Sequence, residues 1–298
     1  MLISVVIPTV RSATLLDAVS SIARQTHPDW ELIVVGQGDD PALQRALASS
    51  SAIDTRVKTV LLSKRGVSLA RNAGIEQSSG SVVAFMDDDC EAREDWLETL
   101  SAIFESEPSV QLVGGTLLAP PPAQAGPSSC PHAEPAEILY DPIASGMQAP
   151  LQFLILTANM AVRRSAIEAI AGFDELLGPG APFGAGEDPG FVLRLEAQGF
   201  LMGSTPRVVV RHTHGYRYGN KAAHQILRNY AVGQGALAAK LTMSGDARGR
   251  LWFRNVVTAV ADDPRNVPKN VLRAVYFMRS YRACRRTTAC TITDTWLL

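Results

Sequence analysis

Ser81-Val82-Val83-Ala84-Phe85-Met86-Asp87-Asp88-Asp89 is an apolar run that ends in three adjacent aspartates. A short, continuous apolar run bounded by polar residues reads as a strand buried on both faces. Three neighbouring carboxylates repel one another, so they must be hydrated, protonated or neutralised by a cation. A hard divalent cation meets that need, because carboxylate oxygens suit Mg²⁺ or Mn²⁺, and Mg²⁺ leaves its other positions to water and substrate phosphates. The competing reading is an acidic loop whose charge complements the dipole of a helix starting near Glu94.

Working outward, Ser4 to Ile7, Glu31 to Val35 and Val57 to Leu62 also read as strands. Between them Ala13 to Arg24, Pro41 to Ala48, Val67 to Glu76 and Glu94 to Phe104 carry helical spacing, with Leu15, Leu16, Val19, Ile22 and Ala23 on one face of the first. This βαβαβαβ order predicts an α/β fold with a mostly parallel sheet, helices on both faces and right-handed connections. Such sheets bind ligands beyond their carboxyl ends. Pro8-Thr9, Gly36-Gln37-Gly38-Asp39-Asp40 and Asp87-Asp88-Asp89 should therefore share one edge.

Residues 119–150 hold eight prolines in 32 positions and read as a loop or linker. Regular structure is expected again in the apolar stretch Phe153 to Val162, a helix from Ser165 to Ala171, a helix from Glu187 to Gln198 after a glycine-rich segment, and a strand from Arg207 to Val210. Ala222 to Leu241 and Val267 to Arg286 have helical spacing.

Three further groups bear on chemistry. Glu187-Asp188-Pro189 opens a helix, and Asp at the cap with Pro following is ordinary helix initiation; a carboxylate raised there is also placed to take a proton. Strand period puts His212 and His214 on one face, where either suits the same cation or a plain hydrogen bond. Arg71 lies in an early turn of its helix, fit for a phosphate or for the open surface.

Taken together these segments resemble glycosyltransferase family 2, inverting enzymes of the GT-A fold. The likeness runs from residue 2 to 214. It rests on Ser4-Val5-Val6-Ile7-Pro8-Thr9, Leu69-Ala70-Arg71-Asn72-Ala73-Gly74-Ile75, Val83-Ala84-Phe85-Met86-Asp87-Asp88-Asp89 with Asp95-Trp96-Leu97, Ala158-Asn159-Met160-Ala161-Val162-Arg163-Arg164, Gly172-Phe173-Asp174-Glu175, and Gly186-Glu187-Asp188 leading to Leu193-Arg194-Leu195. The resemblance implies a GT-A, Rossmann-like sheet, a nucleotide-sugar donor and Mn²⁺ or Mg²⁺ as cofactor. It implies that Asp87 and Asp89 are the acids of a D-x-D motif, with Asp89 the direct metal ligand and His212 completing the site. Thr9, Gln37, Arg71, Asp87 and Asp88 would line the nucleotide site, Asp188 beside Glu187 would be the catalytic base, and Phe173-Asp174-Glu175 would face the acceptor. The mechanism implied is one in-line displacement at the anomeric carbon with inversion. The chain departs from the pattern at Val10-Arg11, where an aromatic-Asn pair is common, at Gly36-Gln37, where relatives carry acids that contact the base, and at Pro189-Gly190.

The expected organisation is a nucleotide-sugar-binding half (1–118), the Pro-rich segment (119–150), an acceptor-binding half of the same catalytic domain (151–214) and a mostly helical basic extension (215–298). At 298 residues, 46% hydrophobic and 19% charged, the chain can bury a large core with a smaller appended unit. Net charge is -1, yet residues 1–206 hold 12 Lys and Arg against 25 Asp and Glu, whereas 207–298 hold 16 against 4. The basic part suits a solvated helical face or a peripheral contact with anionic lipid through Arg273, Arg279, Arg282, Arg285 and Arg286. Apolar runs stop short of the ~20 residues a spanning helix needs. The start has no basic leader, so a cytoplasmic protein is expected. Cys90, Cys130, Cys284 and Cys290 form no C-x-x-C pair and read as reduced and incidental. Partners expected are the donor and a glycan, lipid-linked or small-molecule acceptor, with no nucleic acid. Rival readings are a sugar nucleotidyltransferase, which would show a glycine-rich phosphate loop that Pro8-Thr9-Val10-Arg11 lacks, and a non-catalytic nucleotide- or glycan-binding relative.

Overall fold

β-Branched and aliphatic residues dominate β1 (Ile3–Thr9), β2 (Trp30–Gln37), β3 (Val57–Leu62) and β4 (Val82–Phe85); β1, β2 and β4 are buried along their whole length, as strands covered on both faces must be. The crossovers are α1 (Leu15–Ala23), α2 (Pro41–Ser51) and α3 (Val67–Glu76). In the computed structural model, residues 1–122, 128–150, 153–214, 216–262 and 267–287 are described. Expected elements that fall on 123–127, 151–152, 215, 263–266 and 288–298 lie outside them. On α1, Leu15, Val19 and Ile22 are fully buried, each contributing about 1.5–3 kcal/mol. Leu16 leaves that face and is exposed.

Further along come β5 (Cys90–Ala92), α4 (Trp96–Ser106), β6 (Leu112–Leu118), β7 (Ser128–Ser129), β8 (Ile138–Tyr140), β9 (Met160–Arg163), α5 (Arg164–Ala169), α6 (Glu187–Ala197), β10 (Met202–His212), β11 (Arg217–Tyr218), α7 (Gly219–Met243), α8 (Ala247–Asp262) and α9 (Val267–Arg286). Among the described residues the main sheet runs β3-β2-β1-β4-β9-β6-β10-β5, with β8 beside β10. The β1, β2, β3 and β4 pairings and the β6–β10 pairing are parallel, while β9 runs antiparallel between β4 and β6. This is the expected α/β architecture with a mostly parallel sheet, flanking helices and a helical C-terminal region.

The segment 119–150 is not a free linker. Leu117 and Ala133 exchange backbone hydrogen bonds, and β8 pairs with the start of β10. The register of β6 on β10 shifts between Ser204 and Val209. There the buried Asn159 amide donates to Thr116 O and Val208 O, while its oxygen accepts from Trp96 Nε1. That side chain satisfies carbonyls which the broken ladder leaves unpaired.

The C-terminal helices dock on the rest. Buried Lys240 on α7 pairs with half-buried Asp174 at 2.8 Å, and Leu237 and Ala236 pack with Leu177 and Phe183. Helix α9 lies on α7 through Phe277 and Ala274, with Ser280 Oγ donating to Val232 O. Arg279, Arg282, Arg285 and Arg286 remain exposed.

Candidate active site

The carboxyl ends of β1, β2, β3 and β4 meet at one edge, with Thr9 beside Gly36, Gln37 beside Leu62 and Val6 beside Phe85. The three segments expected to share an edge do so. Thr9 Oγ1 donates to Asp88 Oδ2 at 2.6 Å, and Arg11 Nη2 donates to Asp88 Oδ1 at 2.5 Å and to Asp89 Oδ2 at 3.1 Å. Asp88 is thus buried as a loop anchor. The aspartates do not feed a helix dipole, because β5 intervenes before α4. Gln37 is buried and its side-chain oxygen accepts from Gly66 N at 2.7 Å, so it pins the loop that leads into α3.

Helix α3 lies close on β1 because residue 74 is glycine: a Cβ there would meet Val6 Cγ1 at 2.4 Å. The close approach carries Arg71 into the interior, where it is 2% exposed. It is not a surface arginine, and it lines a cavity. Its Nη2 donates to Asp87 Oδ1 at 3.2 Å, and Nη1 stands 3.7 Å from Asp188 and 3.9 Å from Glu187. One buried cation therefore faces carboxylates from two motifs 100 residues apart in the chain.

Helix α6 begins at Gly186, whose φ of 97° lies in the left-handed region that favours glycine. Asp188 is therefore inside the first turn and makes no capping hydrogen bond. Ordinary helix initiation is not its role. Instead Asp188 Oδ1 accepts from Thr157 Oγ1 at 2.6 Å. Burial raises the Asp188 carboxyl above its usual range against the pull of Arg71 and Thr157, and burial together with the Asp188 charge pushes Glu187 up to about 7. Three acids around one arginine leave an excess of negative charge, so the pair holds a proton near neutrality.

The antiparallel pairing of β10 with β5 sets His212 opposite Cys90. His212 is buried, its Nε2 is 3.8 Å from Asp89 Oδ1, and its Nδ1 has no hydrogen-bond partner among the described residues. Cys90 Sγ is 4.0 Å from the same Asp89 oxygen. Cys90 is thus not incidental in position, although burial and the neighbouring Asp87 and Asp89 hold its thiol protonated. Asp89, Cys90 and His212 form a set able to hold a metal ion. A carboxylate and an imidazole facing each other fit a divalent cation that accepts both, Mn²⁺ more readily than Mg²⁺. His214 lies past the strand end, exposed, with Nδ1 against Thr213 Oγ1.

Phe173 supports the site through its ring. Phe173 stacks on Phe191 at 4.2 Å, meets Phe85 edge-on and carries the Arg71 guanidinium 5.4 Å above its ring. Asn72 ties it down through Phe173 N and O. Beside Arg71, Asp87, Asp188 and His212 opens a cavity of about 790 Å³, walled on its far side by α6, α7 and α8. Sequence reasoning missed Arg11 as a cation on the aspartates, Thr157 as the partner of Asp188, and α7 and α8 as walls.

The profile of the family described as Glycosyl transferase family 2 matches residues 4–170. Over 102 residues the chain is 36% identical to the glucosyl-dolichyl phosphate glucuronosyltransferase of Haloferax volcanii, a match covering 34% of this chain and 33% of that protein. It spans between a third and a half of the length of the first curated relatives it matches. Among solved structures, S. aureus TarS 1-349 in complex with UDP-GlcNAc has a TM-score of 0.57 at 14% identity, over 99% of this chain and 93% of that one. The mannosyltransferase PcManGT from Pyrobaculum calidifontis, in complex with GDP-Man and Mn²⁺, has a TM-score of 0.56 at 14% identity, over 98% and 76%. These structures share the fold. Among the described residues no helix is long and apolar enough to cross a membrane.

Proposed function

Because the chain belongs to glycosyl transferase family 2, we propose that it transfers a sugar from a nucleotide-diphosphate donor to an acceptor hydroxyl, with inversion, and that Asp188 is the general base. The observation that carries this reading is the convergence, around buried Arg71, of Asp87 from the β4 end with Glu187 and Asp188 from α6, at the mouth of a cavity. The donor complexes of TarS and PcManGT lend it support through the shared fold.

In this mechanism the Thr157 hydroxyl orients the Asp188 carboxylate, which accepts the acceptor's proton as the oxygen attacks the anomeric carbon. Arg71 keeps the acid pair close to ionisation and holds Asp87 in place. Attack from the side of Asp188, opposite the leaving diphosphate, inverts the configuration. Asp87, Asp89 and His212 would hold Mn²⁺ or Mg²⁺, which when bound supplies Lewis-acid stabilisation of the diphosphate charge. Thr9 and Arg11, next to these acids, are placed to meet the donor. The exposed arginines of α9 fit a peripheral contact with an anionic membrane surface at ~1 kcal/mol per charge.

Thermal-shift titration with UDP, GDP, dTDP and CDP, each with Mn²⁺ and with EDTA, tests the reading. One nucleotide should stabilise the wild type only with metal, and Asp89→Ala should abolish that shift. No metal-dependent shift with any nucleotide would leave the acidic cluster structural.

A further inference from the structure

The cavity beside Asp188 is chemically divided. Its polar groups capable of chemistry, Arg71, Asp87, Glu187, Asp188 and His212, belong to the site already described. The remaining wall has a polar part, Arg217, Asn229, Tyr230 and Gln234, and a continuous apolar part: Phe153, Leu154 and Ile155 from the strap before β9, Leu193 from α6, Ile226 from α7 and Trp252 from α8. Three polar side chains of that wall are engaged with one another, since Tyr140 donates to one Glu196 oxygen and Arg248 to the other, while Arg248 also pairs with Asp246 at 2.6 Å. Hydroxyls of a glycan laid against the apolar part of that wall would find no partners there, which is unfavourable. At about 790 Å³ the space exceeds what one hydroxyl-bearing ring needs and falls in the range of sites that bury most of a drug-sized ligand.

We propose that the acceptor is amphiphilic: the hydroxyl presented to Asp188 is carried beside a bulky apolar group, which lies against Leu154, Leu193, Ile226 and Trp252. The proposal rests on the transferase reading for the role of Asp188, and it names the acceptor's class. Lipid-linked and aryl-substituted acceptors share this chemistry.

The test needs neither donor nor metal, so its failure is distinct from failure of the transferase reading, which the nucleotide titration reports. Methyl, butyl, octyl and phenyl β-glucosides, each below its micellar concentration, are titrated into the full chain by calorimetry and by Trp252 emission, with Trp252→Phe as the fluorescence control. Affinity should rise about two- to fourfold per added methylene from butyl to octyl, the increment expected of buried apolar surface. Leu154→Asp, at an exposed position, and Ile226→Asp on α7 should each weaken octyl glucoside at least tenfold, with Tm reporting that both remain folded. A larger gain for octyl assigns a lipid chain and a larger gain for phenyl an aromatic group, and either upholds the proposal. Equal binding of methyl, octyl and phenyl glucosides, or octyl binding untouched in both aspartate variants, overturns it.

Discussion

The two ends of the same sheet handle buried carboxylates in opposite ways. At the amino ends of the strands, Glu31 is buried yet surrounded by donors: Lys58 Nζ at 2.7 Å, Ser4 Oγ at 2.7 Å and the Ser79 hydroxyl. Burial alone would raise its carboxyl, but Lys58, Ser79 and Ser4 overcome it and hold it down at about 2. At the carboxyl ends, Glu187 and Asp188 share Arg71 with Asp87, and burial wins, taking Glu187 to about 7. A saturated carboxylate ties strands together. A crowded one is kept ready to exchange a proton. The same residue chemistry serves to fix a strand or to exchange a proton according to the count of donors around it.

The contrast is broken most directly at Asp188. Asp188→Asn keeps the Thr157 contact but not the base, and kcat should fall on the order of 10²–10⁴-fold with little change in donor KM, measured in steady-state transfer assays. Next comes pH. The base works only when ionised, and burial raises the Asp188 carboxyl, so kcat/KM should rise with pH to an inflection above the ordinary aspartate range and then level.

Stability should report the two ends with opposite sign. The folded Glu187 carboxyl sits above its unfolded value, so its contribution is present below about pH 4.5 and lost as pH rises to about 7. Glu31 sits below its unfolded value; its contribution, roughly 3 kcal/mol at most and less once half-exposed Lys58 is screened, is present above 4.5 and lost as pH falls towards 2. Melting curves across pH should lose the acid-side fall in Glu31→Gln and the fall between 4.5 and 7 in Glu187→Gln. The smallest effect is expected at Arg11, half-exposed on Asp88 and Asp89. Arg11→Ala removes a competing cation, so Mn²⁺ titrated without nucleotide should bind severalfold more tightly, about 1 kcal/mol by calorimetry. Unchanged Mn²⁺ affinity would make the arginine a bystander.

Much of this was legible before any coordinates. The first four strands and three helices announce themselves because their apolar periods are long and unbroken, and the acids fall where a parallel sheet binds ligands. Strand β6 was hidden by Gly114-Gly115, which interrupt its apolar run, and β5 and β8 are three residues each, too short to carry a period. The helix from Glu187 is legible, but Pro after Asp188 mimics a capping start; the deciding φ belongs to Gly186. Thr157 lies 31 residues from Asp188 and Arg11 lies 77 from Asp88, and no local pattern marks contacts of that range. Strand period brings out His212 together with His214 and the resemblance singles out His212, while Cys90, which directly follows the acids, carries no C-x-x-C spacing to mark it.

The register that sets His212 opposite Cys90 also orders events in time. Asp89 and Thr213, joined by a backbone hydrogen bond at the close of that ladder, are 124 residues apart. A nascent chain emerging from the ribosome presents its three aspartates long before the imidazole exists, and closing so distant a pairing is a late step in folding. A chain that stalls in synthesis before β10 therefore carries the acidic half of the centre alone, and the set able to hold a metal ion is complete only once β10 has been made.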